Sequence, residues 1–210
     1  MKKRVEGNGS DLPIDWGVAI SKLPGHTECG DQFVVKAFDE GVLIGVVDGL
    51  GHGSEAAIAA KAAVLTLGNH ARESVISLIN LCHKELRKTR GAVMSLVSLN
   101  TGNNTLTWIA LGNVSAVLRR IDTQTIPMRE YVLMGRGVVG DRLPVLRASV
   151  MPIMRGDMLI LATDGIRETF ASETVSWGSP QQIADDILAR HAKGSDEALV
   201  LVIRYKGGRQ

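Results

Sequence analysis

The chain is short of cysteine, of net charge and of long apolar runs, and each shortage removes a class of protein. Cys29 and Cys82 are the only thiols in 210 residues. Their separation fits no zinc-ligand spacing, so they read as reduced and unpaired, with Cys29 a small packed residue. The net charge is only +2, and apart from Lys2-Lys3-Arg4 and Arg119-Arg120 the basic residues are scattered. Phosphate-backbone binders concentrate basic charge on one face, which argues against nucleic acid as a partner. No stretch approaches the roughly 20 apolar residues that cross a bilayer. Val5 to Asp15 is polar and glycine-containing, so no signal-peptide core follows the basic start. The expectation is a cytoplasmic protein with neither nucleic acid nor membrane as partner. Internal repeats, low-complexity tracts and long linkers are also missing.

What is present suits a packed domain. Apolar residues make up 45% of the chain, enough for a buried core. Residues 1–12 read as a flexible leader and 13–207 as one domain. Trp16–Ile20 reads as a strand and Leu23–Gly30, with Pro24, as a loop. Gln32–Phe38 and Val42–Val47 are strands joined by a tight turn at Asp39-Glu40-Gly41. Alanine-rich Ser54–Leu67 reads as a helix. A second helix spans Arg72–Arg87, where Val75, Leu78, Ile79, Cys82 and Leu86 form an apolar stripe. Its basic residues Lys84, Arg87 and Lys88 read as a solvated helix end favoured by the dipole. Val93–Leu99, Thr105–Leu111, Ser115–Arg120 and Tyr131–Leu133 read as further strands, with a turn at Gly102-Asn103-Asn104. Gly135–Pro144 reads as a glycine-rich loop. Ser179-Pro180-Gln181-Gln182 carries an N-cap serine, a first-turn proline and a capping-box glutamine, so a helix starts there and runs to about His191. Met158–Ala162 and Ala198–Tyr205 complete the strands. The order is not a regular βαβ alternation. It predicts an α+β fold, antiparallel sheets with helices packed outside.

Four aspartates stand in or beside loops that touch these strands: Asp31, Asp48, Asp164 and Asp196. Asp31 opens one strand and Asp48 ends the next, and in an antiparallel hairpin the start of one faces the end of the other. The two carboxylates are therefore expected to meet. Oxygen-only donors suit hard cations such as Mg²⁺ or Mn²⁺. Clustered carboxylates without a cation repel and raise one another's pKa. A pair of divalent ions about 3.5–4 Å apart relieves that repulsion and activates a water. Singly, an Asp-Gly pair is usually a turn, and Asp141 and Asp157 are read that way.

The joint pattern resembles the PPM-type metal-dependent protein phosphatases, and within them the bacterial SpoIIE-like branch. The resemblance runs from about Trp16 to Arg204. It is carried by Cys29-Gly30-Asp31, by Val47-Asp48-Gly49-Leu50-Gly51-His52-Gly53, by the run from Arg155 to Gly165 ending in Thr163-Asp164-Gly165, and by Asp196-Glu197-Ala198. Gly112-Asn113 and Gly137–Gly140 fall where the family has glycine turns. The resemblance implies a layered α-β-β-α sandwich with two Mn²⁺ or Mg²⁺ ions at one edge. Asp48 would bridge both ions and the Gly49 carbonyl would bind one. Asp31 would serve the second ion, directly or through water, and Asp164 and Asp196 would hold the first. Asp48 and Asp31 are the catalytic candidates, supporting a metal-activated water that attacks phosphorus in line without a phosphoenzyme. The implied activity is hydrolysis of phosphoserine or phosphothreonine in proteins. Small stand-alone members of the branch act as feedback phosphatases of the stressosome, a bacterial stress and sigma-factor pathway. The implied substrates are phosphorylated STAS-domain proteins.

Three features depart from the family pattern. The closing pair is Asp-Glu, Leu199 replaces a common threonine, and no arginine matches a phosphate-docking position. His52 is not placed where larger members carry an acid histidine, so ordering the turn is an equal reading. Two rival functions remain. A dinucleotide loop at Gly49–Gly53 has the wrong third spacing and would set Asp48 against a pyrophosphate. A catalytically inactive phosphatase-fold binding module would be expected to have lost metal ligands.

Overall fold

The computed structural model describes residues 3–7, 12–25, 27–122, 124, 127–173 and 178–208. The chain forms β1 (Lys3–Gly7), β2 (Ile14–Ser21), β3 (Asp31–Phe38) and β4 (Gly41–Gly49), then helices α1 (Ser54–Asn69) and α2 (Val75–Leu86). Next come β5 (Ala92–Asn100), β6 (Thr105–Leu111), β7 (Ser115–Arg119), β8 (Arg129–Glu130), β9 (Met134–Gly135), β10 (Ser149–Pro152) and β11 (Met158–Ala162). A 3-10 turn over Glu168–Ala171, helix α3 (Pro180–His191) and β12 (Ala198–Tyr205) complete it.

The strands make two sheets. One runs β1-β2-β12-β11-β7-β8 and the other β10-β6-β5-β4-β3, with β9 added beside β6. Every pairing is antiparallel except β6 with β9. Alternation along the strands sorts the apolar side chains into layers. Val42, Ile44 and Val46 of β4 face Leu199, Leu201 and Ile203 of β12 in the core between the sheets. The opposite face of β4, with Leu43 and Val47, packs under α1 and α2. The opposite face of β12, with Val200 and Val202, packs under α3. Strands covered on both faces need apolar residues at every position, which is why β4 and β12 read as unbroken hydrophobic runs. The result is the expected α-β-β-α sandwich.

The helices follow their local signals. The α2 stripe Val75, Leu78, Ile79, Cys82 and Leu86 is fully buried, and the Ser74 side chain caps its start by accepting from Ser77 N. The α3 capping box between Ser179 and Gln182 is formed on both sides. In α1 a small-residue face of Ala56, Ala59, Ala60 and Ala63 is buried, and it lets the helix lie close on the sheet.

Two expectations change. Tyr131–Leu133 is not a strand. The residues before it pair with β7 in one sheet and those after it pair with β6 in the other. The chain is crossing between sheets there, so these residues have no ladder to join, and Leu133 is 93% exposed. Residues 3–7 of the expected leader form β1, in register with β2 from Lys3 opposite Ile20 to Gly7 opposite Trp16. Residues 1, 2 and 8–11 of that leader lie outside the described residues.

Candidate metal centre

The site lies where several strand ends of both sheets meet. In the β3–β4 hairpin Asp31 is the register partner of Asp48. The sequence expectation for this pair is met, because the tight turn fixes the register over the whole ladder. At the end of β4, Gly49 N donates to the Gly30 carbonyl at 3.1 Å, closing the hairpin end. Gly51 and Gly53 then adopt φ of 89° and 77°, a left-handed conformation that favours glycine. This turn brings Leu50, Gly51 and His52 to the cavity edge.

The second sheet supplies the other acids. Asp164 follows the end of β11 and Asp196 precedes β12, which pairs with it. Gly165 is required by close approach, since a Cβ there would sit 1.8 Å from the Glu197 carbonyl oxygen. Asp31, Asp48, Asp164 and Asp196 all line one cavity of about 220 Å³, together with Asn113 and Glu197. Gly49, the expected backbone ligand, is buried against α1 and is not among the lining residues; a Cβ there would lie 2.1 Å from the Ala56 carbonyl oxygen. Among the described residues, no three His, Cys, Asp or Glu side chains close on one point as a ligand set. The acids ring the cavity instead.

Three neighbours that sequence reading left without a role hold the acids. Thr163, buried, donates from Oγ1 to Asp31 Oδ2 at 2.7 Å and accepts from Leu199 N at 2.9 Å. Asn113 Nδ2 donates to Asp164 Oδ2 at 2.7 Å. Glu197 Oε2 accepts from Gly30 N at 2.6 Å, while its Oε1 is buried with no hydrogen-bond partner. The available signals were position alone: Thr163 before Asp164, Asn113 in a glycine turn, and a glutamate beside Asp196. Asp157 stays structural, bonded to Arg120 at 2.7 Å.

Burial and mutual repulsion raise three of the acids that line the cavity. Burial, the Asp48 charge and then Glu197 and Asp164 hold the Asp31 carboxyl well above the usual range, against the Thr163 bond. Asp48 is pushed up to about 7 by burial and by Asp164, Asp196 and Glu197. Asp164 is raised by burial and Asp196, with Lys193 and the Asn113 bond pulling it back. The charges acting on Asp48 are all negative. A hard divalent ion fits this all-oxygen donor set, and Glu197 Oε1 is a further acceptor still to be met. Cys29 is no competitor, because burial and the charges of Asp31 and Glu197 push its thiol up to about 12.

Residues 39–206 match the family model described as Stage II sporulation protein E (SpoIIE). Phosphoserine phosphatase RsbX of Bacillus subtilis (strain 168) is 30% identical over 142 residues, which is 68% of this chain and 69% of that protein. A crystal structure of RsbX in complex with magnesium matches 97% of this chain and 99% of its own, with TM-score 0.82 and 24% identity. A chain solved for the bacterial stressosome, described as a modular system adapted to control secondary messenger signaling, matches 91% of this chain and 99% of its own, with TM-score 0.80 and 25% identity.

Proposed function

Because the chain belongs to the SpoIIE family, we propose that its ring of aspartates is the catalytic centre of a phosphoprotein phosphatase of the stressosome pathway. The enzyme class is a metal-dependent protein serine/threonine phosphatase, with Mn²⁺ or Mg²⁺ as cofactor. The observation that carries the site assignment is the pairing of Asp31 with Asp48 in one sheet, across one cavity from Asp164 and Asp196 of the other.

Within that centre Asp48, the register partner of Asp31, would serve both ions. Asp31, held by Thr163, would serve one of them, directly or through water. Asp164, which accepts from Asn113, and Asp196 would hold the other. The Gly49 carbonyl, set back from the cavity lining, would bind one of the two. When bound, the pair supplies an activated water and takes up charge on the phosphoryl oxygens. The protein residues fix positions, and the cations would offset the burial and repulsion that favour the protonated acids. His52 lines the cavity. Among the described residues no arginine lines it.

The substrates proposed are phosphoserine or phosphothreonine on STAS-domain proteins, the setting cytoplasmic, and the domain residues 13–207. The resemblance to RsbX and to a stressosome chain supports this reading. No helix among the described residues is long and apolar enough to cross a membrane. The test is phosphate release from phosphorylated STAS proteins against a generic phosphopeptide, each with Mn²⁺, Mg²⁺ or chelator. Release that needs metal and favours the STAS proteins is the expected result. Metal binding with no release from any phosphoprotein would instead identify an inactive binding module.

A further inference from the structure

We propose that Glu197 is a positioning residue that latches the Asp31 loop of one sheet to the Asp196 loop of the other, setting the spacing of the two halves of the metal centre. The inference rests on the metal-centre reading above. Gly30 and Glu197 are 167 positions apart, yet Gly30 N donates to Glu197 Oε2 at 2.6 Å in a buried setting. A backbone donor on a carboxylate is a charge-assisted bond, stronger than a neutral one. The same Gly30 accepts from Gly49 N through its carbonyl. One residue, Gly30, therefore ties Glu197 to the residues flanking both Asp31 and Asp48.

The space around Gly30 is closed. A Cβ there would lie 2.9 Å from Ala56 Cβ, 3.1 Å from Glu197 Oε2 and 3.4 Å from the Gly49 carbonyl oxygen. The loop has little freedom to settle elsewhere while the bond is made. Thr163 grips the Asp31 side chain from the second sheet as well, so Asp31 is fixed through both its carboxylate and the peptide before it. Asp196 adjoins Glu197, and its Oδ1 accepts from Glu197 N at 2.8 Å. Moving Glu197 would thus disturb a ligand candidate on each side of the cavity.

The arrangement is hard to explain as packing. Glu197 is 5% exposed, adds negative charge to Asp31 and Asp48, and leaves Oε1 buried without a partner. An apolar residue would fill the space without that electrostatic cost. A carboxylate is justified there if its bond holds the centre in register and a ligand in the cavity meets the second oxygen.

The experiment is Mn²⁺ titration of the purified full chain, with free Mn²⁺ followed by electron paramagnetic resonance, for wild type, Glu197→Gln, Glu197→Ala and Glu197→Met. The glutamine carbonyl can still accept from Gly30 N, so that variant is expected to bind both ions within a few-fold of wild type. Alanine and methionine remove the acceptor and should weaken the ion served by Asp31 by about ten- to a hundredfold, the usual effect of losing an outer-shell partner. Methionine fills the volume and serves if the alanine variant does not fold. Equal affinities in wild type and the methionine variant would overturn the latch. So would an equal loss in glutamine and methionine, which would make charge and not the hydrogen bond responsible. A wild-type chain that binds no Mn²⁺ would overturn the metal centre itself, and the latch with it.

Discussion

Asp157 and Asp48 share a sequence environment, an aspartate beside a glycine where a strand meets a turn, and reach opposite states. Asp157 is 1% exposed and fully answered. Its Oδ1 accepts from Ile121 N at 2.9 Å, and its Oδ2 from Met154 N at 3.0 Å and from Arg120 at 2.7 Å. The Arg120 side chain is shielded too and also pairs with Glu130. Burial works against its charge, but the bonds to Asp157 and Glu130 outweigh that and raise its pKa. Asp48 is pushed up to about 7 by burial and then by the carboxylates of Asp164, Asp196 and Glu197. A buried acid with its own cation is a structural fastener. A buried acid surrounded by other acids needs a cation from outside.

The sharpest division between the two is functional against structural loss. Asp48→Asn should lower phosphatase turnover by roughly a thousandfold or more, the several kcal/mol that metal-based charge stabilisation supplies. The metal-free variant should be at least as stable as wild type, because a source of repulsion is gone. Asp157→Ala should do the reverse. Arg120 keeps Glu130 but loses Asp157, and Ile121 N and Met154 N lose their acceptor, a cost of about 1–3 kcal/mol, read as a lower denaturation midpoint, while the folded fraction keeps its Mn²⁺ affinity. A variant of Asp48 with near-normal turnover, or one of Asp157 that keeps stability and loses metal, would dissolve the distinction.

The second difference is in pH. Asp48 titrates near 7 in the folded chain against an ordinary value of 3.8. The folded state therefore holds a proton that the unfolded state has released, and the stability this group contributes is lost as pH rises from about 4 through 7. For the metal-free protein the loss is on the order of a few kcal/mol. Divalent metal should cancel it, so added Mn²⁺ should raise the melting temperature more at pH 8 than at pH 5. Apparent Mn²⁺ affinity should also increase across that range, as binding displaces the proton. An equal metal-induced shift at both pH values would mean that Asp48 is not a ligand.

How much of this could be read in the sequence depended on range. The meeting of Asp31 with Asp48 was legible because a tight turn and two strands of similar length fix the register locally. The α3 cap and the α2 stripe were legible for the same reason. Placement of β12 between β2 and β11 was not, since it joins segments from opposite ends of the chain. The Glu197–Gly30 bond was hidden likewise, although glutamate beside Asp196 already stood out as a departure from the family pattern. Tyr131–Leu133 misled through composition: apolar residues suggest a strand, but only a neighbouring ladder makes one. The polar β1 misled in the other direction, forming on backbone pairing with β2.

The smallest expected effect concerns Asp164, which stands between the two extremes. Asn113 gives it a fraction of what Arg120 gives Asp157, a neutral donor at 2.7 Å that pulls its raised pKa down. The bond is exposed, so its loss in Asn113→Ala should cost about 1 kcal/mol, or roughly fivefold in the affinity of the ion assigned above to Asp164 and Asp196. Asn113→Asp should weaken that ion less once both ions are bound than during the first binding step, because a new carboxylate repels Asp164 but attracts the metal. Separate affinities for the two ions, taken from one Mn²⁺ titration of each variant, provide the check. If Asn113→Ala changes only the ion served by Asp31, the two sheets do not divide the ions as proposed.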